Sequence, residues 1–265
     1  MSVKNIGAIY LATQNVKFMQ MAIISALELV RFNPFICVKI LTDLDKKFLT
    51  ENNIKLLKSK NIFIKNVKLK QKIGGKKEYY SRQIKTIINR FSHFETTIFI
   101  DADILPMGDY FDLLNLIGGN RDKIYMCKER KESISAWEYA KTLDGLETIK
   151  TCGDEHFPLF NSGFMVFETK NKTVEGFFKI WQSQWLKYKQ LDQWAMARAL
   201  KISGIEISTL PEKFNYNIDK LWDEKPENIT NLHIHGFYTI WEKTLDIYRE
   251  KCPESFEIVN KILPF

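Results

Sequence analysis

No CxxC pair occurs in this chain, and Cys37, Cys127, Cys152 and Cys252 stand far apart. Zinc ribbons and dithiol redox centres need closely spaced thiols, and secreted disulfide scaffolds need a dense cysteine framework. All three are excluded, and four buried free thiols are expected. No apolar run approaches the ~20 residues of a membrane-spanning helix. The opening MSVKNIGAIYLATQNVK breaks its apolar stretch too early for a secretory core, so a cytoplasmic protein without a transmembrane segment is expected. Glycine is missing where a phosphate loop would need it: YLATQNVKF, after the first apolar run, contains none, which argues against a nucleotidyltransferase. Linkers, repeats and low-complexity tracts are also missing. The formal charge of +7 owes much to residues 55–77, KLLKSKNIFIKNVKLKQKIGGKK, which hold many lysines and no acid. That segment has no arginine for bidentate base readout and no aromatic array for stacking. A solvated helix, strand and loop is therefore favoured over an anion-binding surface, and no nucleic-acid partner is expected.

What is present suffices for a large core: 265 residues, 45% of them hydrophobic and 13% aromatic. Buried-strand runs at residues 6–13, 34–43, 61–69 and 95–101 alternate with helical spacing at 17–32, 46–60 and 79–94. Strand and helix units of this length predict an α/β fold with a parallel sheet and helices on both faces. The later part is less regular, with strands at 123–129 and 157–169, helices at 174–189 and 192–201, and a strand at 229–235 leading into a helical pair.

The fourth strand ends on Asp101-Ala102-Asp103, framed by Ile100 and Ile104. In a continuous strand, residues two apart face the same way, so both carboxylates would point together. Two like charges so placed protonate one member, sit in solvent or share a cation. Asn161-Ser162-Gly163 interrupts an apolar strand, and a bulge or tight bend explains it equally as structure or as backbone approaching a ligand. Asp192, opening a helix with Gln193, reads first as an N-terminal cap. His233 and His235 share a strand face, where packing is the commoner role.

In sequence order these elements resemble the glycogenin-like family 8 of retaining glycosyltransferases. Arg82 and Lys85 match its R-x-x-K, Asp101-Ala102-Asp103 its D-x-D, Asn161-Ser162-Gly163 its N-[SA]-G and Asp192-Gln193 its D-Q. Leu210-Pro211 with Phe214-Asn215 match L-P-x-x-[YF]-N, and His233 to Gly236 match H-x-x-G, with Trp241 at the family's tryptophan spacing. The resemblance implies a GT-A (Rossmann-like) fold, a mixed, mostly parallel sheet flanked by helices in a single domain, with a nucleotide-binding half at about 1–107 and an acceptor-side half at about 108–265.

It also implies roles. Asp101, Asp103 and His233 would hold a divalent ion, Mn2+ with Mg2+ as substitute, against the donor diphosphate, Asp101 also touching the ribose. Ala12 and Thr13 would meet the nucleoside, with Asn15 nearby. Arg82 and Lys85 would face phosphates or sugar, Ala102 and Gly236 would line the donor, and Asn161, Ser162, Asp192 and Gln193 would contact the transferred sugar. Asp192 and Gln193 would be catalytic. Thr239-Ile240 stands where the family has Lys-Pro, leaving Lys243 as substitute for the phosphate lysine. The implied reaction moves a sugar from a nucleotide-sugar donor, a UDP-hexose, to a hydroxyl of a glycan, glycolipid or protein, with retention. An inverting GT-A enzyme and a noncatalytic nucleotide- or anion-binding protein are the alternatives.

Overall fold

The computed structural model describes residues 5–44, 48–68, 78–118, 122–136, 138–218, 228–234 and 241–264. The strands β1 (Ile6–Leu11), β2 (Cys37–Thr42), β3 (Ile62–Asn66), β4 (Thr96–Asp101), β6 (Lys123–Ser133), β7 (Pro158–Glu168) and β8 (Glu206–Leu210) form a seven-stranded sheet ordered β3-β2-β1-β4-β7-β6-β8. Pairs β1/β2, β2/β3 and β6/β8 are parallel, and β6/β7 is antiparallel. Helices flank the sheet, so the expected mixed, mostly parallel α/β architecture is the one observed. Contacts divide the chain into two compact units, each drawing on distant stretches of sequence. One, here the β1 unit, comprises Ile6–Lys68, Ile100–Leu116 and Lys213–Phe265; the other, the β7 unit, comprises Met1–Asn5, Leu69–Phe99 and Ile117–Glu212.

In the β1 unit, β1 is buried from its second residue on, as expected of a strand covered on both faces. Helix α1 (Val16–Phe32) starts where Asn15 accepts from the Lys17 N–H at 3.0 Å. It ends at Asn33, whose Oδ1 accepts from the Tyr110 N–H at 2.7 Å. Helix α2 (Glu51–Ser59) begins later than the helical spacing from 46 suggested, because Thr50 caps it through the Asn53 N–H at 3.2 Å. A second sheet is made of three short strands, and the last of them in sequence lies within the strand expected at 229–235. In it β10 (Asn231–His233) lies antiparallel to β5 (Ile104–Pro106) and parallel to β9 (Tyr216–Asn217). Helix α4 (Phe111–Ile117) follows β5, and the chain closes with α8 (Trp241–Lys251) and α9 (Pro253–Ile262). The last residues reach back to the first helices: Gln20 Nε2 donates to Leu263 O at 3.1 Å and Ser255 Oγ to Glu28 Oε1 at 2.6 Å.

In the β7 unit, α5 (Leu143–Cys152), α6 (Lys172–Tyr188) and α7 (Asp192–Ser203) pack together. Gly153 and Gly204 end α5 and α7 at φ 73° and 63°, the left-handed region that costs glycine least. Trp181, Trp185, Phe164, Phe167 and Phe177 are fully buried. The helical spacing over 79–94 resolves into α3 (Glu78–Lys85) and a short 3-10 turn at Ile88–Phe91. β-Branched Thr86, Ile87 and Ile88 fall at the break, where the Thr86 N–H makes a last helical bond to Arg82 O at 3.1 Å and its Oγ1 donates to Gln83 O at 2.9 Å. All four cysteines are free, three of them buried. Burial pushes the Cys127 thiol up to about 12 and Cys152 to about 11, so neither is a neutral-pH nucleophile.

Candidate active site

Strand β4 stops at Asp101, and the chain turns through Ala102 and Asp103 before β5. The two aspartates are therefore not alternate residues of one strand. Register in the small sheet explains what Asp103 meets instead: His233 pairs with Ile104, and the Ile234 N–H donates to Asp103 O at 2.8 Å. The His233 imidazole is thus carried beside the Asp103 carboxylate, Nε2 to Oδ2 3.6 Å, with side chains 5% and 15% exposed. That separation exceeds a hydrogen bond and suits two lone-pair donors on one cation bound at about 2.1 Å. Among the described residues no three His, Cys, Asp or Glu side chains close on one point. One carboxylate and one imidazole fit an ion whose remaining ligands are phosphate oxygens and water.

The end of β1 lies in the same unit. Ala12 is fully buried, its N–H donating to Leu41 O at 2.9 Å, and Asn15 is spent on capping α1. Thr13 Oγ1 is buried without a hydrogen-bond partner among the described residues, a cost that a polar ligand would remove. Gln14 takes the left-handed conformation at φ 69°, and its N–H donates to Asp43 Oδ1 at 2.7 Å. The Tyr248 hydroxyl is a second orphan: burial first, then the charge of Asp103, pushes the phenol well above its ordinary value. Lys17 Nζ lies 4.9 Å from the centre of the Trp241 ring. His235, Gly236, Thr239 and Ile240 lie outside the described residues.

In the β7 unit a second cluster surrounds Asp192. Its helix is capped by Leu191 without a side-chain bond, so Asp192 is the first helical residue and the cap reading is corrected. Its backbone is pinned by the Trp181 indole, which donates to Asp192 O at 2.8 Å, leaving the carboxylate for other work. Oδ2 accepts from Ser162 Oγ at 3.1 Å and lies 3.6 Å from Lys85 Nζ, while Oδ1 lies 3.8 Å from Arg82 Nε. Burial pushes this carboxyl up, but Lys85, then Arg82 and the hydrogen bonds, outweigh it and hold it below the usual carboxylate range. Arg82 and Lys85, one helical turn apart on α3, are both oriented onto the one acid.

Asn161-Ser162-Gly163 is a bulge and not a chain reversal. β7 continues through it, while its pairing with β6 steps from Met126↔Met165 to Lys128↔Phe160. Asn161 Oδ1 accepts from the Gly163 N–H at 2.8 Å, which turns Nδ2 to Glu129 Oε2 at 2.8 Å. Gln193 Nε2 donates to the same oxygen at 2.9 Å and to Phe160 O at 3.1 Å. Glu129 is thus a member of the cluster that sequence reasoning missed. The signal was there: an acid just past the apolar run Ile124–Cys127, as Asp101 follows its own run.

The family model for glycosyl transferase family 8 matches residues 6–234, leaving α8 and α9 beyond it. No functionally curated protein matches the chain in sequence. Among solved structures, the apo bifunctional glycosyltransferase WbbM is similar at 16% identity and TM-score 0.62, over 98% of this chain but 52% of its own, so this chain spans about half of it. The galactosyltransferase LgtC, solved with donor and acceptor sugar analogues, is similar at 13% identity and TM-score 0.64, over 97% and 96% of the two chains. GlyE of Streptococcus pneumoniae TIGR4 gives 14%, 0.64, 96% and 62%. At these identities the structures speak for the GT-A fold, and the family model, which spans most of the chain, speaks for the activity: the chain belongs to glycosyl transferase family 8 and is a glycosyltransferase, using a nucleotide-sugar donor.

Proposed function

We propose that the chain transfers a hexose from a UDP-hexose to a hydroxyl of a glycan, glycolipid or protein, with Mn2+ as cofactor, Mg2+ as a weaker substitute, and retention at the anomeric carbon. The observation that carries the metal dependence is the Asp103–His233 pair, brought to 3.6 Å from distant parts of the chain by the β5/β10 register. Asp103 and His233 would hold the ion, with Asp101 contacting both the ribose and the metal. When bound, the ion offsets the charge that builds on the departing diphosphate. The unpartnered Thr13 hydroxyl, beside buried Ala12, supports a polar nucleoside contact there.

On the sugar, Asp192 is the key group. A carboxyl held below its ordinary range stays ionised at neutral pH and is a poor proton acceptor. It therefore serves better to stabilise positive charge at the anomeric carbon than as the base an inverting enzyme needs. Ser162, Lys85 and Arg82 hold it in place, and Asn161 and Gln193, turned onto Glu129, orient the sugar hydroxyls. The acceptor proton passes to the leaving phosphate on the same face, which retains configuration. LgtC, a galactosyltransferase by name, supports a hexose as the transferred group.

Thermal unfolding with UDP, Mn2+ or both tests the donor half. Coupled binding predicts that the pair stabilises far more than either alone, about 2.7 kcal/mol at roughly a hundred times the dissociation constant, and that EDTA erases the gain. Additive single effects would refute the shared site. Proton NMR of fresh product tests retention, and an inverted linkage would make Asp192 a base.

A further inference from the structure

Helix α5 is amphipathic in an unusual sense. Asp144, Gly145, Thr148 and Cys152 face the protein, while its outward stripe of residues 143, 146 and 150 presents Leu143, 77% exposed, Leu146, 53% exposed, and then Lys150. Two further exposed apolar side chains stand on neighbouring helices, Leu186 on α6 and Ile202 on α7. All four lie within one helical turn of the residues that meet around the buried guanidinium of Arg198. It donates to Asp144 Oδ1 of α5 at 2.6 Å, to Thr148 Oγ1 of the same helix and to Gln184 Oε1 of α6 at 3.2 Å. The segments that carry them, residues 141–150, 184–190 and 198–204, hold Lys141, Lys150, Lys187, Lys189 and Lys201, against Glu147 as the one acid besides buried Asp144. At the end of α5, Cys152 is raised by burial first, and it feels Arg198 and Lys201 as well as the opposing charge of Asp154, so the α7 terminus and one further acid belong to the same neighbourhood.

Exposed leucines with lysines outnumbering acids around them are ill suited to water or to a basic partner. They match the boundary of an anionic bilayer, where leucine side chains sink below the headgroups and ammonium groups stay among the phosphates. Among the described residues no helix is long and apolar enough to cross a membrane, so the contact is with the surface. We propose that the Leu143–Leu146 face of α5, with the adjoining ends of α6 and α7, docks the β7 unit on an anionic lipid surface. This deepens the proposed transfer by narrowing its acceptor to a lipid-anchored glycan, and it rests on that reading for the acceptor alone.

The test is cosedimentation of the full chain, without donor, with vesicles of phosphatidylcholine or of phosphatidylcholine mixed with phosphatidylglycerol. Binding should require phosphatidylglycerol and weaken with salt. Leu143→Ser with Leu146→Ser should cut it about tenfold or more, because binding scales with the apolar area buried. Lys150→Gln with Lys201→Gln should cut it roughly thirtyfold, at about 1 kcal/mol per lysine. Donor hydrolysis and Tm, measured without vesicles, should be unchanged in both, since these side chains are exposed. Absence of wild-type binding overturns the proposal. So does salt-sensitive binding that survives the leucine changes, which would assign it to the lysines of residues 55–68, and so does a dimer that the leucine changes dissolve. If donor hydrolysis is absent while vesicle binding behaves as described, the catalytic reading fails and the docking surface stands.

Discussion

Arg198 is the most consequential single side chain for the helices that carry Asp192. Its guanidinium is 0% exposed beside an Asp144 side chain 1% exposed, and its donors reach Asp144 O and Oδ1, Thr148 Oγ1, and Gln184 O and Oε1. Replacing it by methionine preserves much of the volume and leaves a buried carboxylate without its cation, a change that costs about 3–5 kcal/mol. At about 2–4 °C per kcal/mol for a chain of this size, Tm should fall by roughly 6–20 °C. Asp144→Leu strands the guanidinium and should cost a similar amount. The double variant should cost far less than the sum, because neither charge then lacks its partner; equilibrium denaturation of all four proteins closes the cycle. A pH dependence comes with it. Burial already raises the Asp144 carboxyl and Arg198 opposes the rise, so without Arg198 the folded-state value climbs further above that of the unfolded chain. The native state then binds the proton more tightly, and Arg198→Met should regain stability as pH falls from neutral towards 5. A loss below about 1 kcal/mol, or strict additivity, would refute the view that this ion pair holds the bundle.

Other outcomes follow from the two clusters. Asp103→Asn and His233→Ala should each abolish most turnover with an unchanged circular dichroism spectrum, and near-normal rates at limiting Mn2+ would remove the metal assignment. Asp192→Asn should lower turnover and stability at pH 7; since Asp192 sits below its ordinary value of 3.8, the stability gap should close as pH falls through that region, and a gap that persists there in denaturant titrations would show that charge is not the cause. Glu129→Gln, which turns an acceptor shared by Asn161 and Gln193 into a mixed donor, should lower turnover about tenfold or more through KM and kcat together, and an unaltered rate would make Glu129 purely structural. Tyr248→Phe removes a buried hydroxyl with no partner among the described residues and should raise stability by about 1 kcal/mol; a loss of that size in a melting curve would reveal a partner.

What the sequence disclosed depended on the range of the signal. Strands such as β1 and β2 and the long α1 were legible because burial on known faces writes a period over many residues. The small sheet was legible only in part: β10 lies within the strand expected at 229–235, but β5 and β9 span three and two residues, and the β5/β10 register is what sets His233 beside Asp103. Motif order pointed to Asp192, but its cap reading failed because Lys85 and Ser162, far away in sequence, compete for the carboxylate and win. Glu129 was lost in a strand dense in charges of both signs, and the Asp144–Arg198 pair leaves no local pattern at all.

The tie between the two ends of the β1 unit bears on how the chain is made. Gln20 finds its acceptor in Leu263, 243 residues later, and buried Glu28 finds Ser255. At about 5–20 residues per second, a ribosome takes roughly 12–50 s to span that gap. Throughout that time α1 exists without its closing partner, while every residue of the β7 unit has been synthesised by Glu212. Translation itself therefore orders assembly, with the β7 unit synthesised first and α1 a natural client for chaperones until α9 follows.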